Sequence, residues 1–203
     1  MTLHSDVAEL LAWAGIVDVD VDDAVADEHV RSSVYQRVVS VAASSRSRER
    51  NPELNQDRDQ DRDRDRHRDR DRHRAIVAAI LRDPNEIASK TAVVALVDRI
   101  AMKVTGPAEF RQWSAELLPE IEQLKAEGYR EFIRRRIHDW LFYLSVKDGH
   151  VPTSAELAEV TGWMQRALAE ESTSAAVLAL LAESGSSKKI RNIAKNRSGF
   201  STV

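Results

Sequence analysis

Between Asp57 and Arg74, aspartate and arginine alternate almost without interruption, broken by Gln60, His67 and His73. No apolar side chain occurs in this stretch. It has nothing to bury and nothing to offset the entropy lost on ordering. A helix would gain from opposite charges three residues apart, but Asp57/Asp61 and Arg62/Arg66 place like charges four apart. The reading is a solvated, disordered spacer. With the polar run from Ser44 and Pro52 before it, it divides the chain into an N-terminal helical pair (1–43), an Asp/Arg-rich linker (44–74), a helical core domain (75–185) and a basic tail (186–203).

Charge is unevenly distributed. The net charge of the 203 residues is −3, too small to call for nucleic acid or a membrane surface. By segment, 1–43 carries 8 acidic and 2 basic residues, whereas 186–203 carries 5 basic residues and no acid. The head is acidic and the tail basic. There is no cysteine, which excludes disulfides, thiolate catalysis and cysteine metal sites. No basic leader and no apolar run of membrane-spanning length is seen, so the expected location is cytoplasmic.

Outside the charged stretch the apolar residues recur at helical spacing. Leu3, Val7, Leu10 and Leu11 predict a first helix, with Ser5 as cap and Gly15 as stop. A second helix is expected over 22–43, striped by Val30, Val34, Val38 and Val41. Asp83-Pro84-Asn85-Glu86 reads as N-cap, proline at N1 and glutamate at N3. It opens a helix that buries Val93, Leu96, Val97 and Ile100. Gly106-Pro107 ends it and begins another, which Pro119 is expected to interrupt. The longest helix is expected over 129–147, with Tyr129, Phe132, Ile133, Ile137, Trp140, Leu141 and Leu144 inward and Arg134, Arg135, His138 and Asp139 outward. Thr153-Ser154-Ala155-Glu156 is a second capping box. No segment alternates as a strand does. The fold class is all-α.

The stretch Thr153 to Trp163 resembles the first helix and turn of a helix-turn-helix DNA-binding unit. Leu157 stands at the core-facing position, Ala158 at the close crossing and Gly162 in the turn. The resemblance covers about twenty residues. It implies DNA contact by the following helix, where Gln165 and Arg166 are available but Glu170 and Glu171 would repel phosphate. Leu81-Arg82-Asp83-Pro84, followed by Ile87, Ala92 and Leu96, resembles the hinge of a HEAT-type helical repeat. Leu181-Ala182-Glu183 with Ile190, Arg191 and Ala194 is a fainter echo, which implies an interaction scaffold without the period of a solenoid.

Catalytic signatures are poor. His138-Asp139 resembles the metal-binding dipeptide of HD phosphohydrolases, but no flanking ligands complete it. The spacings of Arg130 and Arg134 to His138 do not match the HEPN ribonuclease motif. Asp18, Asp20 and Asp22 resemble the start of a calcium loop, but Asp23 replaces its glycine and His29 its closing glutamate. No phosphate loop or nucleophile elbow is present. The chain is therefore read as no enzyme, with no cofactor and no metal.

The expected function is that of a non-catalytic adaptor or regulator binding another macromolecule, in the first place a protein. The alternative is a DNA-binding regulator using residues 153–171 and the tail. Arg166, Lys188, Lys189, Arg191, Lys195 and Arg197 are the candidate contact residues. Clustered cations free of acid suit phosphate or carboxylate partners. The same tail could also dock through Ile190, Ile193 and Ala194.

Overall fold

A computed structural model describes residues 2–44 and 58–199, with backbone alone for 58–63. The greater part of the expected linker's first half, residues 45–57, lies outside the described residues, as do 200–203. Among the described residues there are eleven helices and no strand. They are α1 (Leu3–Ala14), α2 (Val21–Ala26), α3 (Glu28–Ser44), α4 (Arg58–Leu81), α5 (Glu86–Ala101), α6 (Pro107–Ile121), α7 (Glu127–Lys147), α8 (Ser154–Ala158), α9 (Gly162–Glu171), α10 (Ala175–Ser184) and α11 (Lys188–Gly199). They group into two compact units, Met1–Lys103 with Gln112–Arg134, and Val104–Arg111 with Arg135–Val203.

In the first unit α1 is capped by Thr2 rather than Ser5, because the Thr2 hydroxyl accepts the Ser5 amide. It ends at Gly15, whose φ of 64° is left-handed and favours glycine. The expected helix over 22–43 is broken at Asp27. Its carboxylate accepts the amides of His29 and Val30 and starts α3 afresh. The buried stripe of α3 is also wider than a valine row, taking in Val34, Tyr35, Val38, Val39 and Ala42, while Val41 is exposed. It packs chiefly on α5.

The reading of 57–74 as an undocked spacer is corrected from Asp69 onward; the side chains of 64–68 are exposed. Helix α4 runs through it, and Arg70 and His73 are buried. The apolar residues Ile76, Val77, Ile80 and Leu81 anchor the helix. Their row continues one and two turns back as His73 and Arg70. Carboxylates on α6 make this possible. Arg70 Nε lies 3.1 Å from Glu116 Oε1, and Arg74 Nε donates to Glu120 Oε1 at 2.7 Å. Buried charge is admissible when paired.

The turn into α5 also differs from its sequence pattern. The N-cap is Asn85, whose side-chain oxygen accepts the amides of Ile87 and Ala88. Asp83 is drawn inward instead. Its carboxylate accepts from Arg31 Nε at 2.6 Å, Tyr35 Oη at 2.7 Å and the Asn85 amide at 2.7 Å. Arg31 Nη1 also donates to the carbonyls of Ala24 and Val25, which end α2. Burial, and then the bond to Asp83, pushes the Tyr35 hydroxyl far above the usual tyrosine range. Pro119 does not interrupt: α6 continues past it to Ile121, since it falls in the last turn and removes one bond. Phe132 is 47% exposed under the Lys90 ammonium, not inward.

The second unit is built on α8 to α11, with α10 against α11 and α9 against both. Thr153 and Glu156 form the expected capping box. The backbone and side chain of Thr153 hold the Glu156 carboxyl below its usual range. The tail is a helix, with Ile190 and Ala194 buried and Ile193 half-buried. Glycine is required at 185 by close approach, because a Cβ there would meet the Leu181 carbonyl at 2.6 Å and Ile190 Cγ2 at 2.9 Å.

Candidate interaction face of the C-terminal helices

The residues 153–171 do form two helices joined by a short turn, α8 and α9 with Glu159–Thr161 between them. Leu157 and Val160 are buried as the motif requires. Ala158, Gln165 and Glu171, the last standing where the motif takes an apolar anchor, depart from it. Ala158 is exposed, so no close crossing uses it. Gln165 is 2% exposed and faces inward. Its amide donates to the carbonyls of Leu157 and Val160 and accepts the Ser186 amide at 2.8 Å. It is a clamp between the α8–α9 turn and the start of α11, not a reader of bases. Glu171 faces outward and accepts from the Tyr143 hydroxyl at 2.5 Å. Burial and that bond push the Tyr143 hydroxyl up to about 12.

The outer surface of α9 is thus Trp163, Arg166, Glu170 and Glu171. Arg166 Nε donates to Glu170 at 2.7 Å, one turn on. Trp163 is 47% exposed, stands edge-on to Trp140 and carries the Arg136 guanidinium 3.8 Å from its ring centroid. Asp139 was expected on the wet side of α7. It is 2% exposed, accepts the Thr161 amide at 3.0 Å and bonds the Thr161 hydroxyl. A carboxylate there suits the N-terminus of α9. The His138-Asp139 dipeptide thus commits its aspartate to a helix start. Among the described residues no group of three or more His, Cys, Asp or Glu is placed to hold a metal ion.

The five tail cations separate into two sets. Arg191 Nη1 donates to the Gly185 carbonyl at 2.6 Å, and Arg197 Nη1 to the Ala169 carbonyl at 3.0 Å. Both arginines secure α11 to its neighbours. Lys188, Lys189 and Lys195 are exposed. Ala179, Ala182, Glu183, Arg191 and Lys195 line an open trough of about 600 Å³ on α10 and α11. Lys188 and Lys189 occupy the first turn of α11, where the helix dipole disfavours positive charge by roughly 0.3–1 kcal/mol each at low salt. No acid stands in that turn to offset them.

No protein family, no curated protein and no solved structure matches this chain. No helix among the described residues is long and apolar enough to cross a membrane.

The sequence pattern missed Asp139, Gln165 and the Arg136–Trp163 stack. A polar residue inside an amphipathic row is the one local signal that could have found the first two. Nothing in the spacing of residue 136 to 163 announces the stack.

Proposed function

We propose that the chain is a non-catalytic helical adaptor that holds an acidic protein segment against the α10–α11 face. One observation carries this reading: Lys188 and Lys189 sit at the wrong pole of α11 for helix stability, on the helix whose Arg191 and Lys195 line an open trough with Ala179, Ala182 and Glu183. A local rule broken without structural gain points to a residue kept for contact. Ala179 and Ala182 let a partner backbone approach closely, and the lysines favour carboxylates over cations. Such charges act mostly on encounter rate and partner choice.

A DNA-binding role is the second reading. The α8–turn–α9 arrangement and the three lysines favour it. Against it, α9 offers phosphate only one arginine, already paired, beside Glu170 and Glu171. Each phosphate contact would add roughly −0.9 to the salt slope of binding, so a real DNA contact is readily exposed by salt.

The test is fluorescence anisotropy with two labelled probes, a glutamate-rich amphipathic peptide and a random DNA duplex, at about 50 and about 200 mM salt. The adaptor reading expects saturable peptide binding that weakens with salt, and no duplex binding. Duplex binding stronger than peptide binding would replace it with the DNA reading.

A further inference from the structure

His73 lies in the charged stretch, yet it is 5% exposed and bonded at both ring nitrogens. The Trp113 indole Nε1–H donates to Nδ1 at 3.1 Å, and Nε2 lies 3.2 Å from the Ala42 carbonyl. An indole N–H can only donate and a carbonyl can only accept. The ring is therefore the neutral tautomer with its proton on Nε2. It joins α4 to the last turn of α3, where Lys103 also donates to the Ala43 carbonyl at 2.6 Å.

We propose that His73 is a pH-sensitive latch: its neutral imidazole docks the Asp/Arg-rich part of α4, and its protonation releases that part. An imidazolium carries a proton on Nδ1, which would face the Trp113 N–H donor directly. The burial of the site leaves that conflict unrelieved. Arg70 and Arg74 on the same helix add like charge. Lys103 and Arg99 approach the end of α3 from α5 and beyond, Arg99 by a bond to Ser40 at 2.8 Å. Glu116 and Glu120 on α6, and the terminal carbonyls of α3, favour the cation. The two carboxylates are already paired with Arg70 and Arg74, so the contact conflict at Nδ1 prevails. Arg72 over the Trp13 ring, 5.8 Å from its centroid, adds a cationic contact to this part of α4.

Release has a natural limit. The apolar anchor begins at Ile76, and before Asp69 the described side chains of α4 are all exposed. Losing the latch therefore undocks residues 69–74 without opening the apolar core. The sign follows: docking is complete when the imidazole is neutral and weakens progressively as pH falls below the range where a released histidine titrates, around pH 6.5.

The test is hydrogen exchange of the full chain, read on peptides spanning 64–74 and corrected for intrinsic rates. Between pH about 7.5 and about 5.5, exchange should accelerate by up to about tenfold. His73→Gln keeps a neutral donor and acceptor and should abolish that acceleration. Equal protection at both pH values, or the same acceleration in His73→Gln, would overturn the latch. Should His73→Gln fold poorly, ring-nitrogen NMR of the wild type serves instead. The latch requires the Trp113 indole signal to move as His73 titrates, and a titration that leaves it unmoved contradicts the proposal.

Discussion

Two hinges in this chain read alike in sequence and are built in opposite ways. The hinge between α4 and α5 turns its charge inward. Asp83 has a fully buried side chain and satisfies Arg31, Tyr35 and the Asn85 amide together. The hinge between α10 and α11 is closed by neutral and backbone groups: Gly185 at its close approach, the Gln165 amide on Ser186, and the Gly185 carbonyl that takes Arg191. Its lysines are left in solvent. Charge that is buried and fully bonded is part of the fold. Charge held outward against the helix dipole is available to something else.

Asp83→Ala should give the largest effect. It strands the Arg31 guanidinium in the interior, and breaking a buried pair in this way costs about 3–5 kcal/mol. Chemical denaturation reads it directly. A loss below about 1 kcal/mol would place Asp83 among ordinary surface charges and remove the contrast between the hinges.

Next comes Gln165→Leu, which keeps the volume but leaves the Val160 carbonyl and the Ser186 amide without their partner, while the Leu157 carbonyl keeps the Val160 amide. Unsatisfied buried groups cost about 1–3 kcal/mol. The loss should appear in exchange at the start of α11. Denaturation unchanged by Gln165→Leu would show that the clamp is dispensable, and the second hinge would then rest on Gly185 and Arg191 alone.

These two residues also show how much was legible beforehand. The all-α class, the Thr153–Glu156 box and the long helix near 129–147 follow from apolar period and capping residues, which are local signals. The position of the α2–α3 break was missed because Asp27 looks like any other acid of the head. Asp83 was read as a helix cap because its pull comes from Arg31, 52 residues away. The end of the charged stretch was read as solvated because composition does not show that Glu116 and Glu120 stand opposite. For the candidate site, composition found the tail cations. Sorting them into two structural arginines and three exposed lysines needed the carbonyls of Gly185 and Ala169.

A smaller effect sharpens the comparison from the surface side. Thr153 holds the Glu156 carboxyl low, so the folded value lies below the unfolded one. The cap's contribution is present above the ordinary glutamate range and is lost as pH falls through the lowered value. A carboxyl titration by NMR should place Glu156 below a free glutamate. A Thr153→Ala variant should return it upward, and an unshifted Glu156 in both proteins would count against the capping account of α8.

The most direct test of the division between inward and outward charge sets two variants side by side. One replaces Lys188, Lys189 and Lys195 with alanine; the other replaces Arg191 and Arg197. Each is measured for denaturation and for anisotropy binding of the glutamate-rich peptide. The lysine variant should unfold no earlier than wild type, gaining up to about 0.3–1 kcal/mol for each first-turn lysine removed, and lose the peptide. The arginine variant should lose stability first. A lysine variant that unfolds early, or that binds the peptide as the wild type does, would contradict the account.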